Sequence, residues 1–204
     1  MAASDSTPPA TDPSFGTVPP APRTRRVSRA HDAEHVHDVV VVGGGQAGLA
    51  AGYYLRRAGL DFVILDGRDG PGGSWEEYWH SLRLFSPAEH SMLPGWWMPA
   101  EEGHEYPGAR HVTWYLSQYE RRYGLPVRRP VHVDGVERAD GALRVLSRKG
   151  TWTAGYVISA TGTWRAPHVP DIPGRDLFRG GQLHTVDYRS PEEFAGQRVV
   201  VVGG

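Results

Sequence analysis

Three glycines carry the clearest chemical signal in this sequence. Gly43, Gly45 and Gly48 form the pattern G-x-G-x-x-G directly after four consecutive valines, residues 39–42. A β-branched run of this kind is typical of a strand that is buried on both faces of a parallel sheet. In this pattern the first glycine permits a tight turn, the second lets backbone approach a pyrophosphate, and the third lets helix and strand pack closely. The spacing therefore predicts a dinucleotide site.

The elements around these glycines must position the ligand. A helix is predicted to begin around Gln46 and Ala47, whose free N–H groups would hold the phosphates, and to end near Gly59. A second strand, residues 61–65, ends in Asp66 at about the distance usual for a ribose-binding acid. A carboxylate there accepts hydrogen bonds from ribose hydroxyls and repels a 2′-phosphate, so we expect FAD or NAD rather than NADP. A glycine-rich turn without a nucleotide is the alternative.

Composition narrows the classes of function. The chain has 204 residues, a formal net charge of −1 and no cysteine. This charge gives no electrostatic case for nucleic acid or an anionic membrane, and no apolar run is long enough to span a bilayer. Without cysteine, disulfide exchange and thiolate metal sites within this chain are excluded. No export signal is recognised, so we expect a cytoplasmic protein. The oligomeric state is left open.

Residues 1–36 are predicted to form a disordered leader, because prolines alternate there with small and polar residues. His31, His35 and His37 stand at its end and could in principle ligate a metal. Since no carboxylate or thiolate framework accompanies them in the sequence, we predict a solvated linker and no metal site. A cofactor-binding domain is then expected over residues 37–165.

The loop after Asp66 reads GRDGPGGSW, residues 67–75. Gly73, Ser74 and Trp75 would bring backbone close to a planar ring system and close an indole over it. The following stretch, residues 76–99, is rich in aromatic residues but has no clean period. It is expected either to line a flavin or substrate pocket or to pack into the core, and the sequence does not decide between them.

The rest of the domain is predicted as a helix over residues 109–123 and a small antiparallel meander over residues 127–157. A returning strand, residues 156–160, ends in Ala160, Thr161 and Gly162. Small residues at the carboxyl end of a strand let backbone press against a nucleotide at the edge of the sheet.

The end of the chain repeats its beginning. Residues 199–204 read VVVVGG, so the valine run and the first two glycines, Gly203 among them, occur a second time. A strand and two glycines without a helix cannot form a phosphate site at a helix terminus. Residues 166–204 are therefore expected to be a connector and the start of a second nucleotide-binding domain, in an N-terminal fragment of a longer protein.

One further pattern connects these parts. Residues 178–188, FRGGQLHTVDY, fit F-x-G-x-x-x-H-x-x-x-Y at Phe178, Gly180, His184 and Tyr188. This pattern resembles the signature of class B flavoprotein monooxygenases, which stands between their two nucleotide motifs. The order of the motifs over residues 37–204 agrees with that family.

The stretch LRLFSPA, residues 82–88, is similar to small bacterial members that resemble flavin-containing monooxygenases, including the arsenic-operon monooxygenase type. That family usually has Glu at the position of Asp66, and the Glu side chain is longer by one methylene.

The resemblance implies an α/β fold, with a Rossmann-like FAD-binding domain that carries a β-meander insertion, followed by an NADPH-binding domain. It implies an enzyme in which NADPH reduces FAD and one oxygen atom of O₂ passes through a C4a-hydroperoxyflavin to a small nucleophilic N or S centre or a carbonyl substrate. The isolated chain is expected to be inactive. A flavoprotein reductase that passes electrons to a non-thiol partner is the alternative.

The resemblance also gives roles to residues. His184 would be a hinge or cofactor-positioning residue, the alternative being a linker histidine that satisfies local backbone. The expected cofactor contacts are Gly43, Gly45, Gln46, Ala47, Gly48, Asp66, Gly73, Ser74, Trp75, Arg83, Val133, Ala160, Thr161, Gly162 and Gly203.

Overall fold

The computed structural model describes residues 35–203. The leader predicted for residues 1–36 therefore lies almost wholly outside the described residues, as does His31. The main elements of the described part are β1 (Val36–Val42), α1 (Gln46–Arg57), β2 (Phe62–Leu65), α2 (Ala109–Arg122), β3 (Val127–Arg128), β4 (Val133–Ala139), β5 (Ala142–Ser147) and β6 (Gly150–Ser159).

The strands form one six-stranded sheet in the order β3-β2-β1-β6-β5-β4. β1 lies between β2 and β6 and runs parallel to both, and β2 pairs in parallel with β3. The other half is an antiparallel meander of β4, β5 and β6, which begins at Val133. The prediction that it begins at residue 127 was wrong, because residues 127–128 form β3 and pair in parallel with β2. This mixed sheet confirms the α/β fold class.

Other boundaries also differ from the sequence prediction. β1 begins at Val36 rather than Val39, and His37 already pairs with Ala154 of β6. The third meander strand and the returning strand are one continuous strand, β6, because its pairing with β1 runs on to Ser159. His37 thus belongs to a strand, and its placement in a solvated linker was wrong.

The valine run is buried on both faces of the sheet, as predicted. Val39 and Val41 belong to a core cluster that includes Leu49 of α1 and Tyr115 of α2. Val40 and Val42 belong to a second cluster with Val145 of β5. Because side chains alternate along a strand, one short run of valines serves both cores.

α2 confirms the predicted apolar face, since Val112, Tyr115, Leu116 and Tyr119 are buried. The hydroxyl of Tyr115 accepts a hydrogen bond from Leu93 N–H and donates one to the carbonyl of Trp96, both at 2.7 Å. These bonds attach the second half of the irregular stretch to the core.

The second valine run does not form a strand. Its four valines, residues 199–202, are 58–87% exposed and are not part of a strand. A strand needs a hydrogen-bonded neighbour, and nothing in the described part of the chain pairs with this run. No described helix is long and apolar enough to cross a membrane.

Candidate cofactor site

The turn between β1 and α1 requires glycine at two of the predicted positions. Gly43 has φ +109°, and a Cβ there would lie 2.2 Å from the carbonyl oxygen of Ala160. A Cβ on Gly48 would lie 1.8 Å from the carbonyl oxygen of Gly43. Gly48 therefore allows the close packing of helix and strand, and Gly43 packs directly against the end of β6.

Gly45 differs, because a Cβ there would meet only the Cα of Gly73, at 3.8 Å. The fold itself does not need a glycine here, so the space beside Gly45 is available to a ligand. Gly45 is the N-cap of α1 and has no side-chain cap, and Gln46 and Ala47 are exposed. First-turn N–H groups have no partner within a helix and attract anions. This open cradle fits a pyrophosphate.

The glycine pair before Trp75 packs against this cradle. A Cβ on Gly73 would lie 2.9 Å from the Cα of Gly45, so the two backbones touch. Gly72 has φ +110° and faces Thr113 of α2. Gly73, Ser74 and Trp75 form a short 3₁₀ turn that keeps the loop beside the start of α1. The two glycine segments, distant in sequence, are therefore in direct contact.

Asp66 ends β2 and is 3% exposed. Its Oδ2 accepts a hydrogen bond from Nε of Arg129 at 2.7 Å, and its Oδ1 accepts one from the backbone N–H of Arg68 at 3.3 Å. Nη1 of Arg129 donates to both carboxylate oxygens of Glu120, at 2.9 and 2.8 Å. The acid proposed to bind ribose therefore lies in a network of paired charges that the sequence did not reveal.

Two more residues at this end of the site were missed. A Cβ on Gly44 would lie 2.7 Å from Oδ2 of Asp66, so the second glycine of the GGG run is also needed. Nη2 of Arg68 is buried and lacks a hydrogen-bond partner within the described residues. An unsatisfied buried donor is costly, and a phosphate or ribose oxygen is a suitable acceptor for it.

Val133 follows two residues that contact the segment at Asp66. The N–H of Val131 donates to the carbonyl of Asp66 at 2.8 Å, and His132 lies against Gly67. Val133 itself begins β4 and is partly buried against the core. This position fits the adenosine end of a dinucleotide, on the side of Asp66.

A cleft of about 450 Å³ opens at the other end of the site. Three segments that are distant in sequence line it, namely the aromatic stretch, the loop after β6 and the middle of the 178–188 pattern. Its walls are Trp75, Tyr78, Trp79, Leu82, Arg83, Leu84, Phe85, Thr163, Trp164, Pro167, His168, His184, Thr185 and Val186.

Edge-to-face aromatic contacts join these segments. Tyr78 lies 5.0 Å from Trp75 and 4.4 Å from Trp164, measured between ring centroids. Trp79 lies 5.1 Å from Tyr188, the last residue of the 178–188 pattern. Such pairs stabilise the folded protein beyond the burial of their apolar surface, and they fix the orientation of the rings. The first half of the irregular stretch therefore lines the cleft, and its second half packs into the core as one of the two alternatives predicted.

Arg83 lines the cleft, but its guanidinium is already engaged. Nη1 donates to the carbonyl of Tyr106 at 2.8 Å and to Glu101 at 3.2 Å. Burial raises the pKa of Glu101, but the N–H of Gly108 and the charges of His104, Arg83 and His111 together lower it below its usual value. Arg83 thus holds the wall of the cleft in place.

His184 also lines the cleft. Its Nδ1 accepts a hydrogen bond from the N–H of Val186 at 3.2 Å and caps the short turn Thr185–Asp187. The ring therefore satisfies local backbone and faces the cleft at the same time, so the two alternatives for His184 are compatible.

The remaining predicted residues follow the strand ends. Ala160 continues β6 against Gly43, and its N–H donates to the carbonyl of Val42 at 2.8 Å. Thr161 and Gly162 are exposed beyond it. Gly203 follows the second valine run with φ +98°, close to the +109° of Gly43.

Together, a parallel strand, a glycine turn with an open phosphate cradle and a buried acid after the next strand define a dinucleotide-binding α/β protein. A family model described as pyridine nucleotide-disulphide oxidoreductase matches residues 40–204. The chain belongs to this family.

Individual relatives point to flavoproteins. The oxidoreductase CzcO of Bacillus subtilis is 31% identical over 170 residues, covering 83% of this chain and 49% of that protein. A Baeyer-Villiger monooxygenase of Streptomyces coelicolor is 33% identical over 179 residues, covering 85% and 34%. The solved structure of a flavin-containing monooxygenase from Stenotrophomonas maltophilia is 53% identical with a TM-score of 0.74, covering 79% and 49%. The resemblance to flavin monooxygenases is thereby confirmed.

Two facts decide which properties of these relatives can be assigned to this chain. The chain spans about half the length of CzcO and of the Stenotrophomonas enzyme. Its sequence also contains no cysteine, so the disulphide chemistry in the name of the family cannot take place within these 204 residues.

Proposed function

We propose that this chain is the FAD-binding part of an NADPH-dependent flavin monooxygenase. The observation that carries the proposal is the open space beside Gly45, closed on one side by Gly73 and continued by the aromatic cleft. A phosphate cradle with an adjoining cleft is what a flavin dinucleotide needs, since its pyrophosphate and its ring bind at different places. The flavin monooxygenases among the relatives support the class of reaction.

Each end of the site has a distinct task. The first-turn N–H groups of Gln46 and Ala47 hold the pyrophosphate, and Asp66 accepts hydrogen bonds from the ribose. The flavin, when bound, supplies electron transfer from NADPH and the activation of O₂. The protein orients the ring and limits the access of water to it.

The cleft residues perform this second task. Trp75, Tyr78 and Trp79 give the cleft an apolar wall, and an apolar wall keeps water away from the reacting atoms. Arg83 and His184 stabilise the backbone of that wall through their hydrogen bonds to Tyr106 and Val186. His184 is thus proposed as a positioning residue rather than a proton donor.

The substrate is proposed to be a small molecule with a nucleophilic N or S centre or a carbonyl group. The support comes from the relatives, one of which is a Baeyer-Villiger monooxygenase, and from the modest volume of the cleft.

The first test is flavin binding by the chain itself. The purified chain is mixed with FAD or with FMN, and bound flavin is measured by absorbance after gel filtration. We expect about one equivalent of FAD and much weaker retention of FMN, because FMN lacks the second phosphate and the adenosine. Equal retention of both, or of neither, would contradict the proposed site.

The second test separates a monooxygenase from a reductase that serves a non-thiol partner. A protein carrying both nucleotide sites is given NADPH, O₂ and a sulfide or ketone. A monooxygenase yields oxygenated product in proportion to NADPH consumed, whereas a reductase yields none and reduces an added acceptor dye. We further propose that the 204 residues alone bind FAD without oxidising NADPH, since the valines of residues 199–202 are exposed and form no strand in the described part of the chain. NADPH-driven turnover by this chain would refute that.

A further inference from the structure

A second group of ligating side chains lies at the opposite edge of the sheet from the cofactor site. β1 and β2 are parallel, so their amino ends, near His35 and Asp61, are far from the glycine turn at their carboxyl ends. Nε2 of His35 lies 2.8 Å and Nδ1 of His37 lies 3.0 Å from the same oxygen, Oδ2 of Asp61. The carboxylate missing from the sequence pattern is supplied by the fold.

The backbone holds Asp61 in this position. Its N–H donates to Oδ2 of Asp38 at 2.9 Å, and its carbonyl accepts from the N–H groups of Asp38 and Val39 at 2.9 and 3.2 Å. His37 is fixed by strand pairing, and its side chain is only 14% exposed. Two of the three side chains, those of His37 and Asp61, therefore extend from backbone that is fixed by hydrogen bonds, and His35 lies two residues before His37.

We infer that His35, His37 and Asp61 form a binding site for a divalent transition-metal ion of the Zn²⁺ class. The three ligand atoms lie within 4.8 Å of one another. Bond lengths of about 2.0–2.2 Å in a tetrahedron place neighbouring ligand atoms roughly 3.3 Å apart. The two imidazole nitrogens therefore need to move away from the Asp61 oxygen by only a few tenths of an ångström.

The donor set decides which ions bind. Two imidazoles and one carboxylate suit Zn²⁺ and its neighbours, which accept nitrogen ligands and four-coordinate geometry with water in the last position. Mg²⁺ and Ca²⁺ prefer six or more oxygen ligands, and this group offers a single carboxylate. The site should therefore discriminate against both of these ions.

A bound ion would connect the start of β1 to the residue that precedes β2. An ion that binds only the folded state stabilises it by mass action. At free Zn²⁺ about 100-fold above its Kd, the melting temperature of a domain of this size should rise by about 5 °C or more. Neither the proposed reaction nor the cofactor cleft is involved.

The test uses the purified chain without a polyhistidine tag, after treatment with a chelator. Isothermal titration with Zn²⁺ at pH 7.5 should show about one equivalent bound, and NMR should show shifted ring resonances for His35 and His37. His35→Ala and Asp61→Asn should each weaken binding by at least about tenfold, since loss of even an indirect partner of a metal ligand costs that much.

His90→Ala is the matched control, because His90 is also exposed and also beside a carboxylate, that of Glu89. It should bind Zn²⁺ like the unchanged protein, and Mg²⁺ should not replace Zn²⁺. The inference is overturned if no stoichiometric Zn²⁺ binds. It is equally overturned if the His35 and Asp61 variants keep full affinity, or if the rise in melting temperature persists in them.

Discussion

Asp66 and Arg129 are 63 residues apart in the sequence, yet Oδ2 of the aspartate lies 2.7 Å from Nε of the arginine. Arg129 in turn donates two hydrogen bonds to Glu120 of α2. A buried carboxylate is costly unless it is paired and hydrogen-bonded. The arginine therefore pairs with the Asp66 carboxylate directly after β2 and fixes its orientation before any ribose arrives.

Removing Arg129 should destabilise the protein strongly. The side chains of Arg129 and Asp66 are 11% and 4% exposed, so Arg129→Met leaves a buried charge without its partner. Breaking a buried pair in this way costs about 3–5 kcal/mol. The free energy of unfolding, measured with urea, should fall by that amount.

The comparison for this loss is Arg144→Met. Arg144 and Glu137 also form an ion pair, at 3.4 Å, but their side chains are 43% and 49% exposed. Such a pair contributes less than about 1 kcal/mol. If the two variants lost similar amounts of stability, the buried network would not have the role assigned to it.

Gly45→Val should abolish flavin binding while the fold survives. The new Cβ would meet only the Cα of Gly73, at 3.8 Å, and the valine methyl groups would enter the space assigned to the pyrophosphate. Glycine is favoured over valine at the N-cap of a helix, so this replacement should lower the free energy of unfolding by about 1 kcal/mol. Bound FAD is measured after gel filtration, and folding by circular dichroism.

Gly135→Val in β4 serves as its control, because a Cβ there meets nothing within 4 Å. That variant should keep its flavin. Normal FAD content in the Gly45 variant would remove the central support for the site.

Gly48→Ala should behave in the opposite way and damage the fold. Alanine has a better helix propensity than glycine by about 1 kcal/mol, but its Cβ would lie 1.8 Å from backbone oxygen at Gly43. Forcing a methyl group into such a contact costs about 1–3 kcal/mol or more. Urea unfolding should show a clear net loss of stability.

Gly52→Ala on the same helix should lose less stability, because its Cβ meets the movable end of the Ile64 side chain at 2.8 Å. The reverse order of the two losses would mean that α1 does not pack on the turn as described.

Stability should decline above pH 10. Burial raises the pKa of Tyr115 to about 12, while the N–H of Leu93 lowers it and Tyr123 raises it. Burial also raises the pKa of Tyr119. A raised pKa in the folded state means that the stabilisation is complete below about pH 10, the unfolded value, and is lost as the pH rises towards 12.

The measurement is the free energy of unfolding between pH 9 and 12, followed together with tyrosinate absorbance. Tyr115→Phe should flatten this dependence, whereas Tyr156→Phe should leave it unchanged because Tyr156 is 66% exposed. If the free energy of unfolding of the Tyr115 variant fell with pH as steeply as that of the unchanged protein, the Tyr115 hydroxyl would not be a cause of the decline.

Local patterns predicted much of the fold. The period of α2, the glycine that ends α1 and the valine run of β1 each reflect interactions within a few residues, and each was found as expected. The β1-to-α1 turn could be predicted partly for the same reason, because Gly48 packs against the nearby backbone of Gly43, whereas Gly43 itself packs against the distant Ala160.

What the sequence did not indicate depends on long-range contacts. No pattern of neighbouring residues predicts that Arg129 contacts Asp66, or that Asp61 contacts His35 and His37. The continuity of β6 was missed because the pattern of its first half is set by β5 and that of its second half by β1. Only the assembled sheet shows that these partners lie on one strand.

That continuity couples the meander to the cofactor turn. β6 runs from Gly150 to Ser159 without interruption, and the next residue, Ala160, lies against Gly43. Val157 and Ile158 point into different cores, so a shift of register by one residue would exchange them. Insertions in the turn before Gly150 can therefore be absorbed at the surface. A single deletion within β6 would displace the backbone that closes on the glycine loop, so the length of this strand is under tighter constraint than its solvent-facing residue types.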